Sequence, residues 1–388
     1  MVNYKVVKNN IIYIKSLLSA ELNYEKYNVI SKVIAQNNIM LFATEKLNVQ
    51  HYFAEDSDWS KAEAEIRSLI DIYEEYVEKV TGNYIDALFW KQYMFLKYVD
   101  SNVIYNIVVS NFKSLPESEQ IEFLALPYRY SFLTGEIDIA SNNYSLIKQY
   151  VEMLSSNVEN YKWLYENLSD NKSKIVLNNI VYYWLNLNIN ALQQISEDFY
   201  MDYFDMDIVS CKQDDVFVDL GAYTGDTVRD FVAAYGRYKR IYAYELTPGT
   251  YDTLVNNTAV FRDVKCVQKA VGGKNEIKYV DDRKDCAGNK IVESGNTAIE
   301  VVCLDDDIKE PITIIKMDIE GAEKDAILGS KNHIINEKPK MLVSAYHLPA
   351  DIFEIPMMID KIRQDYKFYL RYNGHKSLWP CDFVLYAV

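Results

Sequence analysis

The sequence has 388 residues, 49% apolar and 25% charged, enough for a buried core and, at roughly 100–200 residues per domain, for two or three domains. A net charge of −15 without any basic run argues against a nucleic-acid partner, and no apolar run approaches the ~20 residues of a membrane span. The first residues lack the apolar segment and cleavage site of a secretory signal. The cysteines (Cys211, Cys266, Cys286, Cys303, Cys381) are scattered without a Cys-x-x-Cys pair, so neither a disulfide framework nor structural zinc is expected, and a cytoplasmic location is.

Only Gly82 and Gly135 precede residue 220, and no proline precedes Pro116, a grammar that suits helices. Ser60-Lys-Ala-Glu63 is a candidate capping box. After it Ile66, Leu69, Ile70, Tyr73, Val77 and Val80 form an amphipathic stripe, with Gly82 as a candidate C-cap. Further helices are predicted over 84–99, 118–126 and 145–155, and two over 161–195, broken near Asp170-Asn171. The predicted organisation is a helical N-terminal domain over 1–155, a helical lead-in over 156–213 and an α/β domain over 214–388.

The period changes in the last of these. Asp215-Val-Phe-Val-Asp219, Arg240-Ile-Tyr-Ala-Tyr-Glu245, Val264-Lys-Cys-Val-Gln268, Thr313-Ile-Ile-Lys-Met-Asp318 and Met341-Leu-Val-Ser-Ala345 read as strands. The helical patterns separating the earlier ones predict right-handed crossovers and a parallel sheet. Tyr366-Lys-Phe-Tyr-Leu370 and Asp382-Phe-Val-Leu-Tyr386 have no room for a crossover helix between them and should pair antiparallel.

Three motifs carry chemistry. In Val216-Phe-Val-Asp-Leu-Gly-Ala-Tyr-Thr-Gly-Asp-Thr227 a strand ends in Asp219, and Gly221 and Gly225 turn it into a helix whose free N–H groups suit an anionic group. The spacing differs from the Gly-x-Gly-x-x-Gly dinucleotide fingerprint. Glu245, twenty positions after Gly225 and ending the next strand, is placed to hold two ribose hydroxyls. Ile314-Ile-Lys-Met-Asp-Ile-Glu-Gly-Ala-Glu323 delivers Asp318, Glu320 and Glu323 to a strand's C-terminal edge. Contact with a cationic ligand, general-base work and ligation of a hard metal ion are the open roles.

Asp219-Leu-Gly-Ala-Tyr-Thr-Gly-Asp226, Tyr244-Glu245, Ala270-Val-Gly272, Cys303-Leu-Asp-Asp306 and Lys316-Met-Asp-Ile-Glu-Gly-Ala-Glu323 together resemble the FkbM family of methyltransferases over about residues 200–388. The resemblance implies a class I, Rossmann-like methyltransferase fold, α/β with a seven-stranded sheet and an antiparallel last hairpin, here preceded by the all-α N-terminal region. It also implies S-adenosyl-L-methionine as donor, S-adenosyl-L-homocysteine as product, and O-methylation of a sugar hydroxyl in a surface glycan, polysaccharide or related small molecule. Carried onto this chain, Asp219, Gly221, Ala222, Tyr223, Gly225 and Thr227 would form the donor turn. Glu245 would bind the ribose, Leu246 and Ala270 would flank the adenine, and Asp318 would approach the methionine moiety. Many members have proline directly after the ribose acid, whereas here Leu246-Thr247 intervenes before Pro248.

For catalysis Asp318 or His347 is expected as the base, with Glu320 and Glu323 shaping the site. His347 follows a strand in Ala-Tyr-His-Leu-Pro and titrates near neutral pH. No metal ligand is assigned and metal dependence is left open. His375 is a weaker acceptor-contact candidate, while His51 and His333 read as structural. Asp305-Asp-Asp307 reads as a charged helix start and Asp281-Asp-Arg-Lys284 as a solvated loop. The rival readings are a partner- or glycan-binding module on a non-catalytic scaffold, and a nicotinamide-dependent enzyme, which the glycine spacing disfavours. The N-terminal helices are expected to serve acceptor recognition, homodimerisation or docking to a glycan-assembly protein.

Overall fold

A computed structural model describes residues 83–196, 199–280, 291–292, 295, 297–374 and 379–388. The capping box at Ser60, the stripe over 66–80, Gly82, His51, Cys286, the 281–284 run and His375 lie outside the described residues. The chain forms two compact units. The described residues of the first are 83–126, 135–165 and 177–192, and those of the second are 127–134, 166–176 and the described residues within 193–388. No helix among the described residues is long and apolar enough to cross a membrane.

Helices run through the first half of the chain: α1 (Tyr84–Tyr98), α2 (Ser101–Lys113), α3 (Glu117–Arg129), α4 (Ser145–Ser156), α5 (Val158–Asn167), α6 (Asn171–Asn186) and α7 (Ile189–Gln193). Their starts are chemically marked. The Asn83 side chain accepts from the Asp86 amide, Asp100 from Asn102 and Asp170 from Ser173, each satisfying an orphan N–H of a first turn. The stretch 161–195, expected as two helices, makes three: Leu187 takes φ +53°, which no helix continues through, and the Asn188 side chain caps the next turn through Asn190 N–H. Helix α2 is separated from α1 only by Val99 and Asp100 and is not resolved by periodicity alone. Ile104, Phe112, Leu146, Leu164 and Ile180 are fully buried in the first unit, and Phe89 stacks on Tyr165 at 3.8 Å.

The second unit is built on a seven-stranded sheet of β1 (Val216–Leu220), β2 (Arg240–Tyr244), β3 (Val264–Val267), β8 (Ile314–Met317), β9 (Lys340–Ser344), β10 (Phe368–Tyr372) and β11 (Phe383–Ala387). A smaller sheet takes β4 (Ala270–Val271), β5 (Glu276–Val280), β6 (Ile291–Val292) and β7 (Thr297–Val302). The large sheet has the order β3-β2-β1-β8-β9-β11-β10. Its first five strands are parallel, and β11 runs antiparallel to both β9 and β10, as expected for the final hairpin. Covered on both faces, β1 and β8 are buried at every position. The small sheet, in order β4-β7-β5-β6, is not foreseen from the sequence, because two of its strands are only two residues long and carry no period.

Helices cover the large sheet: α8 (Asp226–Tyr235) and α9 (Pro248–Thr258), then α10 (Leu304–Asp307), α11 (Glu323–Gly329), α12 (Lys331–Glu337) and α13 (Asp351–Ile362). Helix α8 turns Val228 and Phe231 inward, and Phe231 stacks on Phe217 of β1 at 4.2 Å with Phe204 edge-on at 5.6 Å. This packing fixes the first turn of α8 against the end of β1.

Strand β10 is an edge, and the segment leading into the domain covers it. Leu168 and Ser196 each make a single parallel bridge to it, at Phe368 and Tyr372. Ser169 N–H donates to Phe368 O at 2.8 Å, and Leu370 N–H donates to Ser173 Oγ at 2.9 Å. Arg371, 5% exposed, reaches Asp205 at 2.7 Å, Asp170 at 2.7 Å and Ser173 Oγ at 2.9 Å.

Candidate active site

The strand order reverses between β1 and β8. A crevice opens at such a reversal because the crossovers leave in opposite directions, and ligands bind there at the carboxyl ends of the strands. A cavity of about 530 Å³ lies at that position, a size suited to a nucleoside-sized ligand.

Its floor is the turn after β1. Gly221 has φ +77°, and a Cβ there would fall 1.9 Å from the carbonyl oxygen of Asp318, so a side chain is excluded sterically as well as conformationally. Gly225, with φ +87°, is the N-cap residue of α8. Gly221, Tyr223 and Thr227 line the cavity. Ala222, 0% exposed, packs into the hydrophobic core instead, and Gly225 holds the turn rather than the cavity wall.

Asp219 lies beneath the floor at 0% exposure, 3.0 Å from Lys316 Nζ. Lys316 in turn donates to Gly221 O at 2.8 Å and sits over the Tyr203 ring at 5.3 Å. Burial alone would lower the Lys316 ammonium, but the Asp219 and Asp318 carboxylates override it and hold the group charged. Asp219 therefore acts on the turn through Lys316 and does not reach into the cavity. Lys316 heads one of the sequence motifs but has no role assigned there; the available signal was a cation inside the otherwise apolar β8.

One side of the cavity has Glu245, Leu246 and Ala270, with Lys269 and Lys278 nearby. Glu245 is 8% exposed, its Oε1 accepts from Thr247 N–H at 2.7 Å, and burial pushes its carboxyl upward. Strands β4 and β5 of the small sheet contribute to this side through Ala270, Val271 and Lys278.

The other side gathers Asp318, Glu320, Tyr203, Tyr346 and Asp382. Tyr203 O–H lies 2.8 Å from Asp318 Oδ2 and 2.9 Å from Ser344 Oγ. Burial would raise the Asp318 carboxyl, yet the charges of Lys316 and His347 hold it below its ordinary value. His347 is 1% exposed and lies behind Asp318, its Nε2 3.3 Å from Asp318 Oδ1 and its Nδ1 2.9 Å from Glu323 Oε1. Burial would lower the imidazole, but Glu323, Asp318 and Glu320 together hold it up at about 9. Of the two expected bases, Asp318 faces the cavity and His347 backs it. His333, the other described histidine, is buried with Nδ1 2.6 Å from Glu337, and Asp305 of α10 accepts from the amides of Asn332 and His333.

Eight non-glycine residues among those described have positive φ, and four of them (Tyr203, Tyr223, Glu320 and Asp382) line this one cavity. Left-handed backbone at such residues is costly and concentrates where function over-determines geometry. Tyr203 and Asp382, far apart in sequence from the three motifs, were not expected in the site.

Residues 219–375 match the domain family described as Methyltransferase FkbM domain. Among solved structures, the methyltransferase FkbM from Methylobacillus flagellatus KT is similar at 24% identity with a TM-score of 0.53, covering 62% of this chain and 62% of that one. This chain thus spans less than two thirds of that protein, and the likeness is one of fold. An rRNA methylase from Streptococcus thermophilus (11% identity, TM-score 0.30, 45% of this chain and 87% of that one) also matches. So does Aeropyrum pernix fibrillarin with natively bound S-adenosyl-L-methionine (13%, TM-score 0.29, 46% and 67%). No curated protein matches the sequence.

Proposed function

We propose that this chain, whose residues 219–375 are a methyltransferase FkbM domain, is an S-adenosylmethionine-dependent O-methyltransferase acting in the cytoplasm on a hydroxyl of a glycan sugar or related small molecule. The observation that carries the reading is the joint position of Glu245 and the Gly221 turn in one cavity at the strand reversal. The residues fit the donor. The start of α8, which no side chain caps, suits its carboxylate, Glu245 its ribose, and Leu246 and Ala270 its adenine, while the Asp318 end, rich in carboxylates, suits a cation. When bound, the donor supplies an already activated methyl group on a sulfonium.

The chain's own contribution is placement and proton handling. Asp318, oriented by Tyr203 O–H and kept ionised by Lys316, is the group available to accept a hydrogen bond from an acceptor hydroxyl and take its proton. His347 steadies that carboxylate from behind. The polar Asp318 end, with Tyr203, Tyr346 and Asp382 around it, favours a hydroxyl-rich acceptor such as a sugar over an apolar one.

Calorimetric titration of the purified chain with S-adenosylmethionine and S-adenosylhomocysteine tests the donor. Micromolar binding, about −8 kcal/mol, is expected, abolished in Glu245→Ala. A mass-spectrometric screen of sugar acceptors for gain of a methyl group then tests the acceptor class. Folded protein that binds neither nucleoside would favour a non-catalytic, partner-binding scaffold.

A further inference from the structure

Behind the cavity's acidic end, carboxylates converge on one imidazole. Asp318, Glu323 and His347 each bring one possible ligand atom within 4.8 Å of the others. Glu323 is 0% exposed, and its Oε1 accepts from Ile319 N–H at 2.9 Å while standing 2.9 Å from His347 Nδ1. A carboxylate has no proton to give, so Nδ1 carries the N–H of that contact. The other ring nitrogen, Nε2, faces Asp318 Oδ1 at 3.3 Å and Glu320 Oε1 at 4.0 Å. Glu323 Oε2, also buried, meets no hydrogen-bond partner. Two carboxylates turned on Nε2, with an orphan carboxylate oxygen beside them, call for positive charge there, which either the ring's own proton or a metal ion that displaces it supplies.

We propose that Asp318, Glu320 and Nε2 of His347 hold a divalent cation, of the Mn²⁺ or Mg²⁺ kind, and that Glu323 orients the imidazole. Two ligand atoms on an ion with bonds near 2.1 Å stand about 3.0 Å apart at a right angle and about 4.2 Å apart in line, and the spacings of 3.3 and 4.0 Å fall in that range. Two carboxylates with one imidazole suit a hard or borderline ion rather than a thiophilic one. An imidazole whose other nitrogen donates to a carboxylate is the usual arrangement of a metal-bound histidine, because that bond fixes the tautomer. The left-handed backbone of Glu320 and Gly321, φ +57° and +98°, turns the chain sharply beside the site. Three protein ligands leave coordination positions toward the cavity, which Asp318 and Glu320 line. An acceptor hydroxyl bound there would have its O–H polarised and its oxygen fixed. That use rests on the methyl-transfer reading, whereas binding of the ion does not.

The test is a titration of the full chain, stripped with EDTA, with Mn²⁺ alone, following the free-ion electron paramagnetic resonance signal. One saturable site is expected, weakened about tenfold or more in both His347→Gln and Glu320→Gln and unchanged in Glu337→Gln, which removes a carboxylate from α12. If His347→Gln fails to fold by circular dichroism, Glu320→Gln, a change at the cavity rim, carries the test. Absence of saturable binding up to about 5 mM, or equal affinity in wild type and Glu320→Gln, overturns the site. Titrating the same protein with S-adenosylmethionine separates the two ideas. Mn²⁺ bound through these residues without donor binding keeps the site and removes the methyltransferase reading. Donor binding without Mn²⁺ removes the site alone.

Discussion

Gly221 is where one added methyl group should do most harm. Its Cβ would overlap the Asp318 carbonyl at 1.9 Å in a backbone conformation that costs an L-residue roughly 1–2 kcal/mol even without the clash. Gly221→Ala is expected to abolish donor binding in calorimetry and to lower the melting temperature; normal values for both would mean the turn is not the donor floor. Lys316→Met should loosen the same turn, since it removes the partner of Asp219 and the donor to Gly221 O, leaving a buried carboxylate uncompensated at a cost of about 3–5 kcal/mol. A urea midpoint unchanged from wild type would refute that. Cys211 offers an independent check on local environment: burial, and then Asp215, push its thiol up to about 12. Alkylation by iodoacetamide at pH 8 should therefore be far slower than for an unperturbed thiol, and rapid labelling in peptide maps would contradict the packing. At this scale the sequence announced Gly221 and Glu245, because a turn and an acid ending the next strand are defined by local spacing. It hid the roles of Tyr203, Lys316 and Asp382, because their partners lie far along the chain.

Elements follow a similar rule. Strands β1, β2, β8 and β9 are legible because a strand buried on both faces must be apolar nearly throughout, whereas β4 and β6 are too short for any pattern to build. Breaks between helices are set by single residues, such as Leu187 in the left-handed region, which hydrophobic periodicity does not register. Helix α8 ties fold to site, since Phe231 clamps it to β1 through Phe217. Phe231→Ala should cost about 3–5 kcal/mol in urea unfolding. The added prediction is that donor affinity falls as well, because the N-terminus of α8 shifts with its packing; a large stability loss with donor affinity intact would separate the helix from the site.

For the molecule as a whole, the antiparallel β11 and the pairing of β10 were predictable from the short connection between them. The cover over β10 was not, since it joins Asp170 and Ser173 to Arg371 across nearly the whole second half of the chain. This cover should respond to acid. Burial alone would raise the Asp170 carboxyl, but Arg371 and Ser173 hold it below its ordinary value. A folded-state value beneath the unfolded one, about 3.9, contributes stability that is present above that pH and is lost as pH falls through the folded value. The gap in urea midpoint between wild type and Asp170→Asn should be wide at neutral pH and close as acid takes the pH below the ordinary carboxylate range; a gap constant with pH would exclude a titrating ion pair.

The same cover should bear on solubility. An edge strand with unpaired amides and carbonyls is a template for strands of other molecules. In the intact chain Ser169, Ser173 and the bridges at Leu168 and Ser196 occupy that edge. A protein trimmed to 214–388, the span that contains every strand among the described residues, would bare Phe368–Tyr372 along one side and leave Arg371 without Asp170 and Asp205. Such a fragment should self-associate in light scattering, and one begun near residue 166 should not. On that outcome the segment before the domain is a strip of chain that keeps the sheet from growing.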